Sequence, residues 1–285
     1  MRYPIKLVPQ GIVPRDPGLK FTIARLTDVA PTRTPRMVTE RIVLSGAYGS
    51  FIGPSIGTIL AVTMIGAGTG GLSGADSGIA GGGGGAGMYI RRKPVIYTGP
   101  IDYEVVATVP SDTQVADTTF GDLTAYSATF EYVGALGGYI GVGGGNTASN
   151  GGDGYQLDEW TWVGANGGRN GGYVPAPGTT DNAHAGGASL IADADGASAP
   201  IIGGAAGVWN TSPETGSGPG GGGAGSAFGV GGAGGSLLPV EAGGDAASWG
   251  AGGGGGAGFA GSPAGGLSGG FGGGGIIIIE YLRPE

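Results

Sequence analysis

The segment Gly66-Ala67-Gly68-Thr69-Gly70-Gly71 spells G-x-G-x-x-G directly after the apolar run from Thr58 to Ile65. In a dinucleotide site such glycines let the backbone approach a pyrophosphate at a helix N-terminus, and an acidic residue about 20 positions on binds the ribose. Here more glycine follows instead of a helix, and the corresponding stretch is Arg91-Arg92-Lys93. No G-x-x-x-x-G-K-[ST] occurs, so a P-loop is excluded. Gly266-Leu267-Ser268-Gly269-Gly270 matches G-x-S-x-G, but a hydrolase elbow needs a downstream histidine. The single histidine, His184, lies upstream, and with no cysteine it leaves no transition-metal ligand set. Asp193-Ala194-Asp195-Gly196 lacks the further oxygen ligands of a calcium loop and reads as a surface turn. Asp158 and Glu159 are adjacent, whereas glycosidase chemistry needs two carboxylates held across a sugar. Asn210-Thr211-Ser212 is a glycosylation sequon by pattern only. The expectation is therefore no enzyme, no cofactor and no metal.

Recognition chemistry is better represented. Trp160, Trp162, Trp209 and Trp249 all fall in or beside short inserts between glycine tracts, with Tyr155 and Tyr173 near them. Tryptophan and tyrosine offer large rigid contact area at low entropic cost and dominate binding hot spots. The candidate binding residues are Tyr155, Asp158, Trp160, Trp162, Tyr173, Trp209, Asn210 and Trp249. The competing role is a small apolar cap on the glycine scaffold, and Trp160 and Trp162 share strand parity, so one face there could be buried.

What positions these inserts must be built mostly of glycine, which supplies 72 of 285 residues. Glycine in a regular element costs roughly 0.5–1 kcal/mol relative to alanine. Only close backbone packing, with nearly every N–H and C=O partnered, offsets that cost where side chains are scarce. Collagen requires glycine strictly every third residue with abundant proline, and Gly252 to Gly256 breaks that rule. Silk-like alternation is absent too. What remains is packed polyglycine-II, a left-handed helix of three residues per turn without internal hydrogen bonds. In such a lattice long glycine runs suit interior helices, alanine-containing stretches suit surface ones, and inserts project from the ends.

Charge separates the ends of the chain. Residues 1–42 carry eight basic and three acidic groups, and the remainder carries five basic and eighteen acidic. An acidic body repels phosphate, so nucleic acid is not expected as a partner. Met1-Arg2-Tyr3-Pro4 does not open a secretory signal, and the apolar run Ile56 to Ile65 is too short to cross a bilayer. The expectation is synthesis in a cytoplasm without a built-in export route.

Three parts follow. Residues 1–40 are an extended, Pro-rich attachment segment, with Ile5-Lys6-Leu7-Val8 and Leu19-Lys20-Phe21-Thr22-Ile23 as short extended runs. Residues 41–133 are β-rich and include the first glycine block, Gly66 to Gly87. Residues 134–285 are a polyglycine-II sandwich with projecting loops and a C-terminal strand, Ile276 to Leu282. The fold class is mainly β and irregular, with almost no α-helix, because no stretch shows a helical apolar stripe.

The strand ending Val62-Thr63-Met64-Ile65-Gly66-Ala67-Gly68 leads to a glycine block closing on Gly81-Gly82-Gly83-Gly84-Gly85-Ala86-Gly87-Met88-Tyr89. With Thr119-Phe120-Gly121-Asp122-Leu123-Thr124 and the ending Ile276-Ile277-Ile278-Ile279-Glu280-Tyr281-Leu282, this order resembles the glycine-rich domain of bacteriophage tail fibres. Glycine motifs alternating with inserts are similar to the distal adhesins of T-even-type phages, over about Arg41 to Leu282. The resemblance implies a polyglycine-II sandwich in a virion, at a tail tip or fibre, binding a bacterial outer-membrane protein or surface glycan through loops 155–163, 173–183, 208–217 and 237–249. It implies docking on a phage tail or fibre protein through residues 1–40, and leaves open a homotrimer or a monomer on a fibre tip. Residues 1–40 differ from the larger attachment domain of those adhesins. Two other readings stand beside the adhesin: a purely structural tail-tip component and a polysaccharide depolymerase.

Overall fold

The computed structural model describes residues 37–46, 48–74, 80–113, 116–129, 153–168, 185, 204–205, 207, 219–237, 239–258 and 266–284. Among these residues there is no α-helix, and the structure is β-sheet and extended glycine-rich chain. The strands are β1 (Met37–Leu44), β2 (Tyr48–Phe51), β3 (Ile59–Ile65), β4 (Tyr89–Ile96), β5 (Ile101–Glu104), β6 (Thr118–Phe120), β7 (Leu123–Ala125), β8 (Tyr155–Gln156), β9 (Thr161–Val163), β10 (Ser236–Leu237), β11 (Val240–Glu241) and β12 (Ile276–Pro284). They form a six-stranded sheet in the order β1-β12-β3-β4-β9-β8, a four-stranded sheet β2-β5-β6-β7, and the hairpin β10-β11.

The two larger sheets pack into a β-base. Alternation decides the facing: Ile42 and Leu44 of β1, Leu60, Val62 and Met64 of β3, and Ile277, Ile279 and Tyr281 of β12 meet Phe51, Val105 and Phe120 from the second sheet. The isoleucine run of β12 is buried on both sides of its sheet, since Ile276 and Ile278 join Ile65, Tyr89 and Ala227 in a second cluster. Gly121 (φ 54°) turns β6 into β7, the positive φ that the first position of a two-residue II′ hairpin requires. A bulge interrupts the β3–β4 register between Val62 and Met64, and Arg92 takes φ 46° there. Its amide donates to Thr63 Oγ1 at 3.1 Å. β1 starts at Met37, before the Arg41 expected from β-branched content, because Met37 is registered against Pro284 at the end of β12.

The base runs directly into glycine helices: β3 continues at Gly66, Met88 leads into β4, β9 continues at Gly164, and Gly275 leads into β12. Residues 250–258 are the centre of the body. Their N–H groups donate from 252 and 255 to Ala224 and Gly221, from 253 and 256 to Thr69 and Leu72, and from 254 to Gly244. Their carbonyls at 252 and 255 accept from Gly232 and Gly235, and those at 253 and 256 accept from Gly84 and Gly81. The carbonyls at 251, 254 and 257 accept from Gly273, Gly270 and Leu267. These bonds are 2.7–3.0 Å long. Residues three apart bond the same neighbour, which is a helix of three residues per turn.

Six neighbours surround this helix: residues 66–74, 80–88, 219–225, 229–235, 242–247 and 266–275. Each bonds to the next around the ring, through Leu72 to Gly82, Gly221 to Gly81, Gly223 to Gly232, Gly244 to Ala233, Gly243 to Ser268 and Gly71 to Gly270. The ring is closed, so the body is a hexagonally packed polyglycine-II lattice. Residues 164–168 add to its outside against 80–88 and 219–225, and residues 204, 205 and 207 against 219–225 and 229–235. Among the described lattice residues only Gly250, at the start of the central helix, has a positive φ, as the left-handed sense demands. Each interior glycine gains two lattice bonds at about 0.5–1.5 kcal/mol net apiece, enough to offset its entropic cost.

Side chains obey the same period. On three outer helices exposed positions fall three apart, at Val230 and Ala233, Ala242 and Asp245, and Ser268 and Phe271, with Ala247 exposed in addition where its helix meets the next turn. The two five-glycine runs, 81–85 and 252–256, are both buried, as expected of long runs. The alanines divide: Ala233 and Ala242 are on the surface, but Ala67, Ala251 and Ala257 are buried. Ala86, Ala165 and Ala224 pack together from three adjacent helices, where methyl meets methyl instead of a carbonyl. Spatially, residues 66–74 and 80–88 belong to the same lattice as the later glycine blocks, and β12 lies in the sheet of β1. Base and body each draw on both halves of the chain.

Candidate functional site

The hydrogen-bond directions sort the lattice ends. Gly66, Met88, Gly164 and Gly275 adjoin the β-base, and neighbouring helices run mostly antiparallel. At the opposite end lie Gly74, Ala80, Gly168, Gly207, Pro219, Gly258 and Gly266, together with the β10-β11 hairpin. Gly74 and Ala80, Gly207 and Pro219, and Gly258 and Gly266 are the described residues on either side of positions 75–79, 208–218 and 259–265, which themselves lie outside the described residues. A rigid scaffold that returns several connections to one face is a common platform for binding loops.

The sequence candidates do not all lie there. Tyr155, Asp158, Trp160 and Trp162 belong to the β8-β9 hairpin, which extends the six-stranded sheet of the base. Asp158 is committed to that hairpin. Its carboxylate accepts the Trp160 amide at 2.8 Å, and this bond, opposed by slight desolvation and helped by a bond to Thr161, holds its pKa below the usual carboxylate value. The Trp160 carbonyl in turn accepts from the Arg91 amide at 2.7 Å. Trp162 is registered against Tyr89, with ring centroids 5.8 Å apart, and Tyr89 meets Phe228 edge-on at 5.8 Å. This cluster joins the base to the lattice turn at Ser226–Gly229, so Trp162 is a packing residue, the apolar cap that its strand parity allows. Trp249 is 40% exposed in a second base-ward turn, where Ser226 Oγ donates to its carbonyl at 2.6 Å. Trp249 is thus not at the far end. Tyr173, Trp209 and Asn210 lie outside the described residues, as do loops 173–183 and 208–217, His184, residues 193–196 and residues 1–36.

These placements separate two tryptophans that composition alone treats alike. Trp162→Ala should destabilise the protein by about 2–4 kcal/mol through lost aromatic packing. Trp249→Ala, half exposed, should stay within about 1 kcal/mol. Urea denaturation of both variants checks the contrast, and equal losses would contradict the packing role.

No protein-family model and no curated protein matches this chain. Site and function therefore rest on its own residues.

A feature of the base escapes sequence inspection. An open cleft of about 1120 Å³ is lined by Tyr48, Tyr103, Asp102, Glu104, Thr119 and Asp122, among others. The Tyr103 ring lies over Gly49, its cross-strand partner, where a Cβ would come within 3.1 Å of the phenol oxygen. Tyr48, Glu104, Thr119 and Thr124 are successive register partners, so they form one polar row across the four-stranded sheet. The strand alternation Ile101-Asp102-Tyr103-Glu104 is the only local signal of this face. Among the described residues, no group of three or more His, Asp or Glu is placed to hold a metal ion.

Proposed function

We propose that the chain is a receptor-binding adhesin of a bacteriophage tail fibre or tail tip, which binds a bacterial outer-membrane protein or surface glycan and performs no chemistry. The observation that carries this reading is that the residues on either side of positions 75–79, 208–218 and 259–265 all lie at the one lattice end opposite the β-base. A hydrogen-bonded glycine body tolerates sequence change at its ends and hardly any inside, so specificity can vary while the scaffold stays constant. Attachment to a tail or fibre protein falls to the chain ahead of β1, because β1 runs with Met37 at the end of the base away from the lattice. The same polarity supports a reading with attachment and recognition at opposite ends, the arrangement a fibre-tip protein requires.

Of the tryptophans, Trp209 belongs to an insert flanked by far-end residues, Gly207 and Pro219. With Asn210 it becomes the first receptor candidate, ahead of Trp160 and Trp162. The test is saturable binding of purified protein to cells of the presumed host, together with competition against phage adsorption. Trp209→Ala with Asn210→Ala should weaken binding by about 2 kcal/mol, roughly thirtyfold in Kd, with the melting temperature unchanged. A wild-type protein that neither binds cells nor blocks adsorption would overturn the adhesin reading in favour of a structural tail-tip component. Release of sugar fragments from the cell surface would favour the depolymerase.

A further inference from the structure

The outer face of the six-stranded sheet is covered only in part. Near the lattice, Ile65, Tyr89, Ile276 and Ile278 pack beneath Ala227, Phe228 and Trp162. Toward the other end of the strands the same face carries Met37, Leu282, Ile59 and Ile96, exposed by 52%, 57%, 64% and 64%. Register makes three of them one row. Ile59 pairs with Ile96. Glu280 pairs with Ala61, so Leu282 falls beside Ile59 one step further along. Thr39 of β1 closes the row opposite Leu282. The alternating neighbours Leu60, Val95 and Tyr281 face the core, so this row points away from it. A contiguous aliphatic row across a sheet is not the scattered surface leucine that needs no account.

We propose that this row is covered by the chain's own N-terminal segment, through Leu19-Lys20-Phe21-Thr22-Ile23. The segment enters the sheet at Met37, whose side chain borders the row. The 14 residues from Ile23 to Met37 reach up to about 46 Å at about 3.3 Å each, far more than the row demands. From β1 to β4 the row spans three interstrand gaps, about 14 Å, and five extended residues cover about 16 Å. Leu19, Phe21 and Ile23 alternate with Lys20 and Thr22, so one side of the run is apolar and the other polar. The apolar side matches the aliphatic row and the polar side faces water. Residues 1–18, with their basic groups, stay available to the tail partner. This inference does not depend on the receptor reading.

The chain contains no cysteine, so a single introduced thiol reports local cover without background. Ile96→Cys and, as the uncovered control, Val240→Cys at the far-end hairpin are each made in the full-length protein. Val240 is 60% exposed, close to Ile96. Thiol labelling by a maleimide should be at least tenfold slower at position 96 than at position 240. Adding Leu19→Asp and Phe21→Asp should raise the rate at 96 to that at 240 and leave 240 unchanged, with the far-ultraviolet spectrum of the fold retained. Equal rates at the two positions without those substitutions would overturn the proposal. So would slow labelling at 96 that ignores them, or that quickens on dilution, the sign of a second copy as the cover.

Discussion

Gly254→Ala should destabilise the protein by at least about 4 kcal/mol, a drop of roughly 10 °C or more in melting temperature, although it adds a single methyl group. Gly254 sits at the middle of the central helix, with its amide donating to Gly244 at 2.9 Å and its carbonyl accepting from Gly270 at 2.7 Å. A Cβ at this position would lie on the carbonyl of Ala233, well under 3.0 Å away, and that atom is backbone. No rotamer change relieves such a contact, so the helix at 229–235 must move and take its own bonds to 219–225 with it. Most overpacked cores lose about 1–3 kcal/mol because side chains give way, and here there are none to yield. Ala242→Ser on the outer lattice surface is the matched control and should change stability by less than about 0.5 kcal/mol. Thermal unfolding followed by circular dichroism measures both, and a Gly254→Ala protein as stable as wild type would refute the hexagonal lattice.

The second large effect belongs to the base. Phe120→Ala should cost about 3–5 kcal/mol, the range for emptying an aromatic site that cannot collapse. Phe120 is 1% exposed and its ring lies 5.8 Å from Phe51, which itself meets Tyr97 edge-on at 6.0 Å. These rings come from strands of the second sheet and the residue after β4, so truncating Phe120 removes one end of an aromatic chain that ties the two sheets together. Because β3, β4, β9 and β12 are continuous with lattice helices, loss of the base should carry the body with it in one transition. Urea denaturation read by tyrosine and tryptophan fluorescence and by backbone circular dichroism should give coincident curves at a lowered midpoint. A base signal lost well before the backbone signal would show that the lattice holds without the sandwich.

Several elements are legible in the amino-acid sequence. The β-branched runs that form β3 and β12 announce themselves by composition and by flanking glycine. Absence of a helical stripe argues against helices. Gly252 to Gly256, which breaks the collagen period, points to polyglycine-II. Strand extents are less legible: Met37 to Glu40 join β1 through pairing with Tyr281 to Pro284, not through a strong preference of their own.

The sequence by itself determined the kind of scaffold: only glycine tolerates a carbonyl where a Cβ would stand, and side chains three apart mark a helix that keeps one side to solvent. Tertiary structure alone decided which helices meet. A polyglycine-II helix has no internal hydrogen bonds, so every partner comes from another helix, often a distant part of the chain, as Thr69 does for Gly253 and Gly84 for Ala224. It also decided where each insert emerges, since that depends on the direction of the preceding helix and hence on its antiparallel neighbours. For this reason Trp160, Trp162 and Trp249, alike in composition and setting, fall at the base-ward side, whereas the flanks of Trp209 lie at the far end.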